Sequence, residues 1–297
     1  MTNPLTEFSK NLTAAVEIGG TSTVLVDARK RYPASGIAYG EDLVLTADHV
    51  VTREDIKVIL PDGKSLAATI AGRDAGSDLA LLRLAEKALK PAKTSNDVEV
   101  GQLVLALGRP NTAGMQASWG IVTAIAGPAR THRGGLLDEY ISTETTPYPG
   151  FSGGPLVNTE GEVLGLNTSG LTPGSSLTIP VKVAWRIADE LAKHGSVKRG
   201  YLGVRTQPVE IPEAARKSLK REQKSGLLVL WLEENGPAQK GGLFVGDTIV
   251  AVAGQSVSDP DDLFAALKSD TVGTSVPVEV LRGGKPENVN VTVGERK

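Results

Sequence analysis

The chain has 297 residues, with 32 Lys and Arg against 34 Asp and Glu, and a formal net charge of −2. This length favours about two to three domains. A net charge near zero argues against nucleic acid as the main partner, and no apolar run approaches the roughly 18 residues of a membrane span. The absence of Cys excludes disulfides, thiolate metal sites and a thiol nucleophile.

The first half of the chain indicates a short helix followed by many strands. Residues 4–16 have helical spacing, with Asn3 as the cap and Pro4 in the first turn. Runs rich in branched residues then alternate with turns, which is typical of a β protein. The predicted strands are Thr23–Val26, Leu43–Thr46, Ile56–Leu60, Leu79–Leu84, Leu103–Leu107 and Gly120–Ile125, and a second β-rich block covers about 131–180.

A helix over residues 181–193, stopped by Gly195, precedes a different sequence pattern. The last 98 or so residues contain strands, a short helix at Pro237–Lys240 and a helix at Pro260–Lys268 capped by Asp259. We therefore divide the chain into an N-terminal helical segment (1–19), a β domain (20–193), a linker (194–199) and a smaller β/α domain (200–297).

Three separate segments supply His, Asp and Ser in that order. His49 follows a predicted strand, Asp78 precedes one, and Ser152 lies in the string Gly150-Phe151-Ser152-Gly153-Gly154-Pro155. A serine hydroxyl needs a base to become a good nucleophile, and imidazole is such a base near neutral pH. A buried carboxylate holds the imidazole in one tautomer and stabilises its charged form. Each residue alone has a structural interpretation, but the ordered set predicts nucleophilic catalysis.

The glycines around Ser152 support the same interpretation. Gly150 allows the backbone to turn so that the amides of Gly150 and Ser152 converge on an oxyanion. Gly153 and Gly154 are expected to keep side chains away from an approaching substrate.

Thr-Ala-x-His, Ser-Asp-Leu-Ala-Leu-Leu and Gly-x-Ser-Gly-Gly-Pro-Leu resemble the motifs of chymotrypsin-like serine proteases. The segments Gly101–Pro110, Gly120–Val122 and Gly161–Thr168 narrow the resemblance to the HtrA (Deg-type) family. The resemblance implies a mostly β fold: two six-stranded barrels with the catalytic His49, Asp78 and Ser152 in the cleft between them, followed by a PDZ domain.

The C-terminal block resembles a PDZ domain. Arg199–Val204 matches the loop with which such domains hold a peptide's terminal carboxylate, and Gly236–Leu243 strengthens the match. The resemblance implies peptide binding at Tyr201, Leu202, Gly203 and Val204, with the helix of Leu263 and Leu267 as the other wall.

Two positions near Ser152 bear on the shape of its loop and on substrate specificity. Phe151 replaces the usual Asn before the nucleophile, and it is expected to anchor its loop by packing. Thr146 stands where trypsin-like enzymes keep an Asp, which disfavours a Lys or Arg substrate side chain. The expected pocket residues, which favour small or medium aliphatic side chains, are Thr146, Leu166, Asn167, Thr168, Thr178 and Ile179.

The first functional hypothesis is an endopeptidase of protein quality control that cleaves unfolded or damaged chains without metal or organic cofactor. The resemblance implies a homotrimer built through the N-terminal segment, with Phe8 as a candidate contact. The alternatives are a latent or inactive protease acting as a chaperone, and a PDZ-based peptide sensor. The family is commonly found in the cell envelope, yet residues 1–20 lack the features of a secretory signal, so compartment stays open.

Overall fold

The computed structural model describes residues 3–133, 135–172, 176–219, 221–267 and 271–295. The chain divides into two compact units, Met1–Val197 and Lys198–Lys297. In the described part of the chain, no helix combines the length and apolar character needed to cross a membrane.

Helix α1 (Pro4–Gly20) opens the first unit and runs four residues beyond the predicted end. The Asn3 side chain accepts a hydrogen bond from the Leu5 amide at 3.0 Å, which caps the helix as expected. The extension is a consequence of packing: Gly19 is buried, and a Cβ there would lie 2.7 Å from the Leu107 side chain. Helix α1 therefore packs against the rest of the first unit. The predicted domain boundary at residue 19 falls inside this helix.

The first barrel is closed in the order β1-β2-β3-β6-β5-β4. Its strands are β1 (Thr23–Asp27), β2 (Ala34–Ala38), β3 (Leu43–Ala47), β4 (Ile56–Ile59), β5 (Ser65–Asp74) and β6 (Leu79–Leu84). A 3-10 turn, Asp48–Val50, follows β3. The sequence analysis did not identify β2 or β5. The reason is that β2 is buried at every position, whereas β5 mixes exposed and buried positions irregularly, so neither has a clear two-residue alternation.

The second barrel is also closed, in the order β11-β14-β13-β12-β7-β8. Its strands are β7 (Leu103–Gly108), β8 (Gln116–Ala126), β11 (Tyr140–Thr143), β12 (Pro155–Val157), β13 (Val163–Thr168) and β14 (Leu177–Pro180). A small hairpin of β9 (Ala129–Arg130) and β10 (Leu136–Leu137) precedes β11. The mostly β, double-barrel fold is thus confirmed.

Helix α2 (Val181–His194) closes the first unit and confirms the predicted helix. Gly195 caps its C-terminus in the left-handed region, with φ of 74°, a conformation that favours glycine. The helix buries Ala184, Ala188 and Leu191 in a core shared with both barrels.

The second unit has a sheet ordered β16-β17-β18-β20-β21, to which β19 adds against β18. These strands are β16 (Val204–Glu210), β17 (Ser225–Leu232), β18 (Thr248–Val252), β19 (Gln255–Ser256), β20 (Ser275–Arg282) and β21 (Lys285–Thr292), and β15 (Gly200–Tyr201) pairs with β22 (Gly294–Glu295). The helices are α3 (Glu213–Leu219), α4 (Pro237–Lys240) and α5 (Pro260–Ala266). Asp259 caps α5 as predicted, whereas its predicted end at Lys268 lies outside the described residues.

Candidate active site

A cleft of about 380 Å³ in the first unit contains two of the three predicted catalytic side chains, His49 and Ser152. Its walls come from the β1–β2 loop, the turn after β3, the loop before β12 and the segment after β13. The lining residues are Arg29, Arg31, Tyr32, His49, Pro147, Tyr148, Pro149, Gly150, Phe151, Ser152, Ser169 and Ser176.

His49 and Asp78 form a hydrogen-bonded pair. The Nδ1 atom of His49 lies 2.8 Å from Oδ2 of Asp78, and the His49 backbone amide donates to Oδ1 at 2.9 Å. Asp78 is completely buried and adopts φ of 56°, a left-handed conformation that Asp tolerates better than most residues. These two contacts orient the imidazole and leave its other nitrogen available for proton transfer.

Thr168 and Gly170 complete the surroundings of Asp78. Burial raises the pKa of the Asp78 carboxyl, but hydrogen bonds and charge from His49, with a hydrogen bond from the Thr168 hydroxyl, outweigh it and hold that pKa below its ordinary value. A Cβ on Gly170 would lie 2.3 Å from Oδ2 of Asp78 and 2.5 Å from Nδ1 of His49. The carboxylate therefore stays ionised, and only glycine fits beside it.

The Ser152 hydroxyl makes its hydrogen bond to the Ser169 hydroxyl, at 3.2 Å. Within the described part of the chain it makes no hydrogen bond to His49. Of the three predicted catalytic residues, His49 and Asp78 are therefore hydrogen-bonded to each other in this structure, and Ser152 is not bonded to them. The Ser152 hydroxyl must turn from Ser169 toward the imidazole before it can lose its proton. Catalytic contacts of this kind are commonly longer without substrate.

Buried Ser35 fixes the loop that carries Ser152, a contact that was not predicted from the sequence. Its hydroxyl donates to the Gly150 carbonyl at 2.7 Å and accepts from the Arg109 amide at 2.8 Å. Its backbone amide donates to the Ser152 carbonyl at 3.2 Å. Because these partners are distant in sequence, only the formation of both barrels brings them together.

Gly150 has φ of 91°, the conformation expected of a glycine at an oxyanion turn. The amides of Gly150 and Ser152 donate no hydrogen bond to any described residue, so both are available to an oxyanion. The expectation for the next two glycines was wrong. A Cβ on Gly153 would lie 2.1 Å from the Ser35 carbonyl oxygen, and one on Gly154 2.2 Å from the Leu107 carbonyl oxygen. Glycine is needed at both positions because their backbone packs closely against the barrels, and not because a substrate approaches them.

Phe151 packs into the core of the second barrel, which confirms the prediction that it anchors its loop by packing. Its side chain is 2% exposed and lies in the cluster with Val104, Ile141 and Leu164. Tyr148 covers it edge-on, with ring centroids 5.4 Å apart. The aromatic ring thus tethers the residue between Gly150 and Ser152 to the barrel core.

A small cavity beside Ser152 contains only part of the predicted specificity pocket. Asn167 and Thr178, which share a 2.6 Å hydrogen bond, line it together with Thr145. Leu166 and Ile179 instead lie in the core, because adjacent residues of β13 and β14 point to opposite faces.

Two further predicted pocket residues lie elsewhere. Thr168 donates to Asp78, and Thr146 is exposed and absent from the cavity lining. The backbone amide of Thr146 donates to the Ser118 hydroxyl at 2.7 Å, which fixes the segment ahead of Tyr148. Thr145, one residue earlier, takes the position in the cavity expected for Thr146.

A second buried carboxylate, Asp48, lies directly before His49. Arg73 binds it at 2.6 Å and Arg133 at 3.2 Å, and the same Arg133 lies 4.0 Å from Oδ1 of Asp78. Sequence reasoning missed this cluster because neither arginine is near Asp48 in the chain. It adds positive charge beside the Asp78 carboxylate.

The predicted peptide-binding loop of the second unit leads into the edge strand β16. Gly203 has φ of 74°, and the amides of Leu202 and Gly203 donate to no described residue. Leu202 itself is buried in the core, while Tyr201 belongs to β15 and Val204 begins β16. The loop thus offers free amides next to an unpaired strand edge.

Each of the two units matches a known protein domain. Residues 34–166 match the model of a trypsin-like peptidase domain, and residues 200–293 match that of a PDZ domain. The chain is 38% identical over 276 residues to a probable periplasmic serine endoprotease, DegP-like, of Halomonas elongata, and 37% identical over 270 residues to one of Brucella suis. The structure titled HtrA-type protease AlgW with decapeptide superimposes with a TM-score of 0.80 at 26% identity, over 96% of this chain and 99% of that one.

The chain thus combines a trypsin-like peptidase domain with a PDZ domain, and it is similar to HtrA-type proteases.

The Halomonas and Brucella relatives are longer than this chain. The alignments cover 90% and 87% of this chain but 57% and 52% of the Halomonas and Brucella proteins. A serine endoprotease from Yersinia pestis, by contrast, is matched along 98% of its solved chain, with a TM-score of 0.78 and 28% identity. The likeness to solved HtrA proteases therefore extends over one protease unit and one PDZ unit.

No cluster of three or more His, Cys, Asp or Glu side chains able to hold a metal occurs among the residues that the structure describes.

Proposed function

We propose that this protein is a serine endopeptidase in which His49, Asp78 and Ser152 act as a catalytic triad. The observation that carries the proposal is the buried Asp78 carboxylate, bonded at 2.8 Å to Nδ1 of the same imidazole that lines the cleft with Ser152. A carboxylate in that place stabilises the imidazolium formed when His49 accepts the serine proton.

In the proposed reaction, the Ser152 oxygen attacks the peptide carbonyl carbon while its proton moves to His49. The carbonyl electron pair becomes an oxyanion, which the Gly150 and Ser152 amides stabilise. Collapse of this intermediate breaks the C–N bond, and His49 returns the proton to the leaving amine. Water then repeats the sequence on the acyl-enzyme, releasing the acid and restoring the serine.

The proposed substrates are unfolded or damaged protein chains, since only an extended segment can follow the cleft. The PDZ unit is proposed to bind C-terminal peptides at Tyr201–Val204 along the β16 edge, and so to present substrate or regulate the protease. Support comes from the free amides of the loop and from peptide-bound HtrA-type structures among the matches.

A homotrimer through the N-terminal helix is also proposed. Phe8 is 42% exposed and lies edge-on to Trp119, itself 61% exposed, with centroids 6.4 Å apart. Such an exposed aromatic pair is typical of an interaction surface. Sedimentation equilibrium tests it: we expect three copies in the wild type and fewer in Phe8→Ser, and an unchanged monomer in both would contradict it.

The experiment that tests the enzyme is a casein digest with wild type beside Ser152→Ala, together with labelling by a fluorophosphonate. We expect cleavage and labelling of the wild type and neither in the variant. Digestion that persists in Ser152→Ala, with correct folding confirmed by circular dichroism, would overturn the assignment of the nucleophile.

The Ser152–Ser169 hydrogen bond favours a second candidate, a latent protease that acts as a chaperone or peptide sensor. In that case Ser152 becomes reactive only on activation or not at all. Labelling that appears solely after addition of a PDZ-binding peptide indicates latency, and suppression of aggregation without any labelling indicates a chaperone.

A further inference from the structure

The loop between β1 and β2 places two arginines on the wall of the catalytic cleft. Arg29 and Arg31 both line it beside Tyr32, while Lys30 between them is exposed and does not. The loop is short, since β1 ends at Asp27 and β2 begins at Ala34. The Arg29-Lys30-Arg31 run led to no prediction from the sequence, because its position at the cleft depends on the fold.

These two charges are not balanced by acidic groups in the cleft. Among the described residues that line it, none is Asp or Glu. The Arg29 guanidinium donates to the carbonyls of Tyr32 and Pro33 within its own loop, and Arg31 makes no ion pair with a described residue. Both guanidiniums therefore give the cleft a positive potential that an anionic ligand group would neutralise.

The loop leads directly to the residue that braces the nucleophile. Ser35, two positions after Pro33, donates to the carbonyl of Gly150, and its amide donates to the carbonyl of Ser152. The cavity of Asn167 and Thr178, which would take the side chain before the scissile bond, lies at the β13–β14 wall instead. The β1–β2 loop lines the cleft but not this cavity, so we expect a peptide that fills the cavity to direct the residues after the bond toward that loop.

We propose that Arg29 and Arg31 form a carboxylate-binding subsite on the leaving-group side of the cleft, which selects substrates with acidic side chains just after the scissile bond. This inference rests on the proposed endopeptidase function. Arg31, which is exposed and makes no ion pair with a described residue, supplies the direct contact, and Arg29, which is tied to its own loop, supplies fixed charge. A guanidinium suits a carboxylate because it can donate two parallel hydrogen bonds.

The first test compares quenched fluorescent peptides that share all residues before the scissile bond and carry Glu, Gln or Lys at the second and third positions after it. All peptides are amidated, and a free-acid copy of the Gln peptide separates binding of a terminal carboxylate from binding of a side chain. We expect kcat/KM for Glu to exceed that for Gln by about threefold, the size of a solvent-exposed ion pair, with Lys lowest.

Variants locate the effect. Arg31→Gln should bring the Glu to Gln ratio close to one, whereas Lys30→Gln, which removes the same charge one residue away and outside the cleft, should preserve it. A ratio of one in the wild type, an equal loss in both variants, or a preference confined to the free-acid peptide would overturn the proposed subsite. The same peptides with acidic residues moved before the bond should show no such preference.

A binding measurement keeps the inference separate from the catalytic proposal. In Ser152→Ala, fluorescence anisotropy should give a Kd for the Glu peptide about threefold below that for Gln, and the difference should shrink at high salt. If no peptide is cleaved by the wild type but this difference remains, the catalytic proposal fails while the subsite stands. If cleavage occurs and the Kd values are equal, the subsite fails alone.

Discussion

Asp78 in the first unit and Asp247 in the second are both deeply buried aspartates, and the two differ in their partners. Asp78 is completely buried and bonds to an imidazole and a hydroxyl. Asp247 is 2% exposed and accepts two hydrogen bonds from Arg282, at 2.8 and 2.7 Å, and one from the Phe244 amide. For both, burial raises the pKa of the carboxyl, yet the hydrogen bonds and charge of the partners outweigh it and the pKa lies below its ordinary value.

The difference lies in whether the partner can exchange a proton. The Arg282 guanidinium is permanently charged, so its bidentate pair with Asp247 holds the turn before β18 closed. His49 changes charge near neutral pH, so the pair with Asp78 can respond to proton transfer. A buried carboxylate thus serves structure in one unit and, by our proposal, catalysis in the other.

The largest expected effect is that of Asp78→Asn. The amide keeps the shape of the side chain but cannot stabilise a charged His49, so kcat should fall by roughly 10³- to 10⁴-fold. The measurement is peptide hydrolysis at saturating substrate, with the unfolding transition as a check of folding. A loss below tenfold in a folded variant would remove Asp78 from the proposed mechanism.

Gly170→Ala tests the same site without touching a charge. The added Cβ would lie 2.3 Å from Oδ2 of Asp78, so either the carboxylate or the imidazole must move. Displacement of about 1 Å commonly costs a factor of about 100 in rate, and we expect a kcat loss of that order. Gly63→Ala is a control for glycine replacement, since a Cβ there meets nothing within 4 Å although its φ of 90° also makes it strained. Equal losses in both variants would contradict the steric argument.

Residues that lie in short local motifs could be predicted from the sequence, whereas contacts between residues far apart in the chain could not. The order His49, Asp78, Ser152 was visible because each lies in a short local motif, as was the Asp259 cap. The bracing by Ser35 and the cluster of Asp48 with Arg73 and Arg133 were not visible, since both depend on barrel closure. The pocket was predicted in part: the sequence identified the correct strands, but alternation placed Leu166 and Ile179 in the core.

Asp247→Asn should act on stability instead of rate. Among the described residues, loss of the charge leaves Arg282 with Glu287, at 2.9 Å, as its acidic partner. We expect the second unit to lose about 1–3 kcal/mol of stability. Hydrogen exchange in β18 and β20 of the full chain measures this, while hydrolysis of a short peptide should keep its rate. A matching loss of protection in β3 and β6 would show that the effect is not confined to one unit.

Acidification should destabilise both units through these carboxyls. Since each has a lower pKa in the folded chain than when unfolded, the unfolded chain binds more protons below about pH 4, and stability is lost as pH falls through the folded pKa. Exchange protection of each unit between pH 3 and 6 measures the loss. Asp247→Asn should flatten the profile of the second unit alone, and an unchanged profile would mean that other carboxyls control its acid unfolding.

The smallest expected effect is that of Ser169→Ala. This variant removes the hydrogen bond between the Ser152 and Ser169 hydroxyls, which must break before Ser152 can transfer its proton to His49. The Asp247–Arg282 pair persists throughout, whereas the 3.2 Å bond between the Ser152 and Ser169 hydroxyls competes with transfer of the serine proton to His49. Because a net hydrogen bond contributes about 0.5–1.5 kcal/mol and this one is solvent-accessible, its removal should raise the rate of fluorophosphonate labelling by about threefold. Ser176→Ala, in the same cleft, is the matched control and should leave that rate unchanged. Slower labelling in Ser169→Ala would instead identify Ser169 as a residue that positions Ser152 for attack.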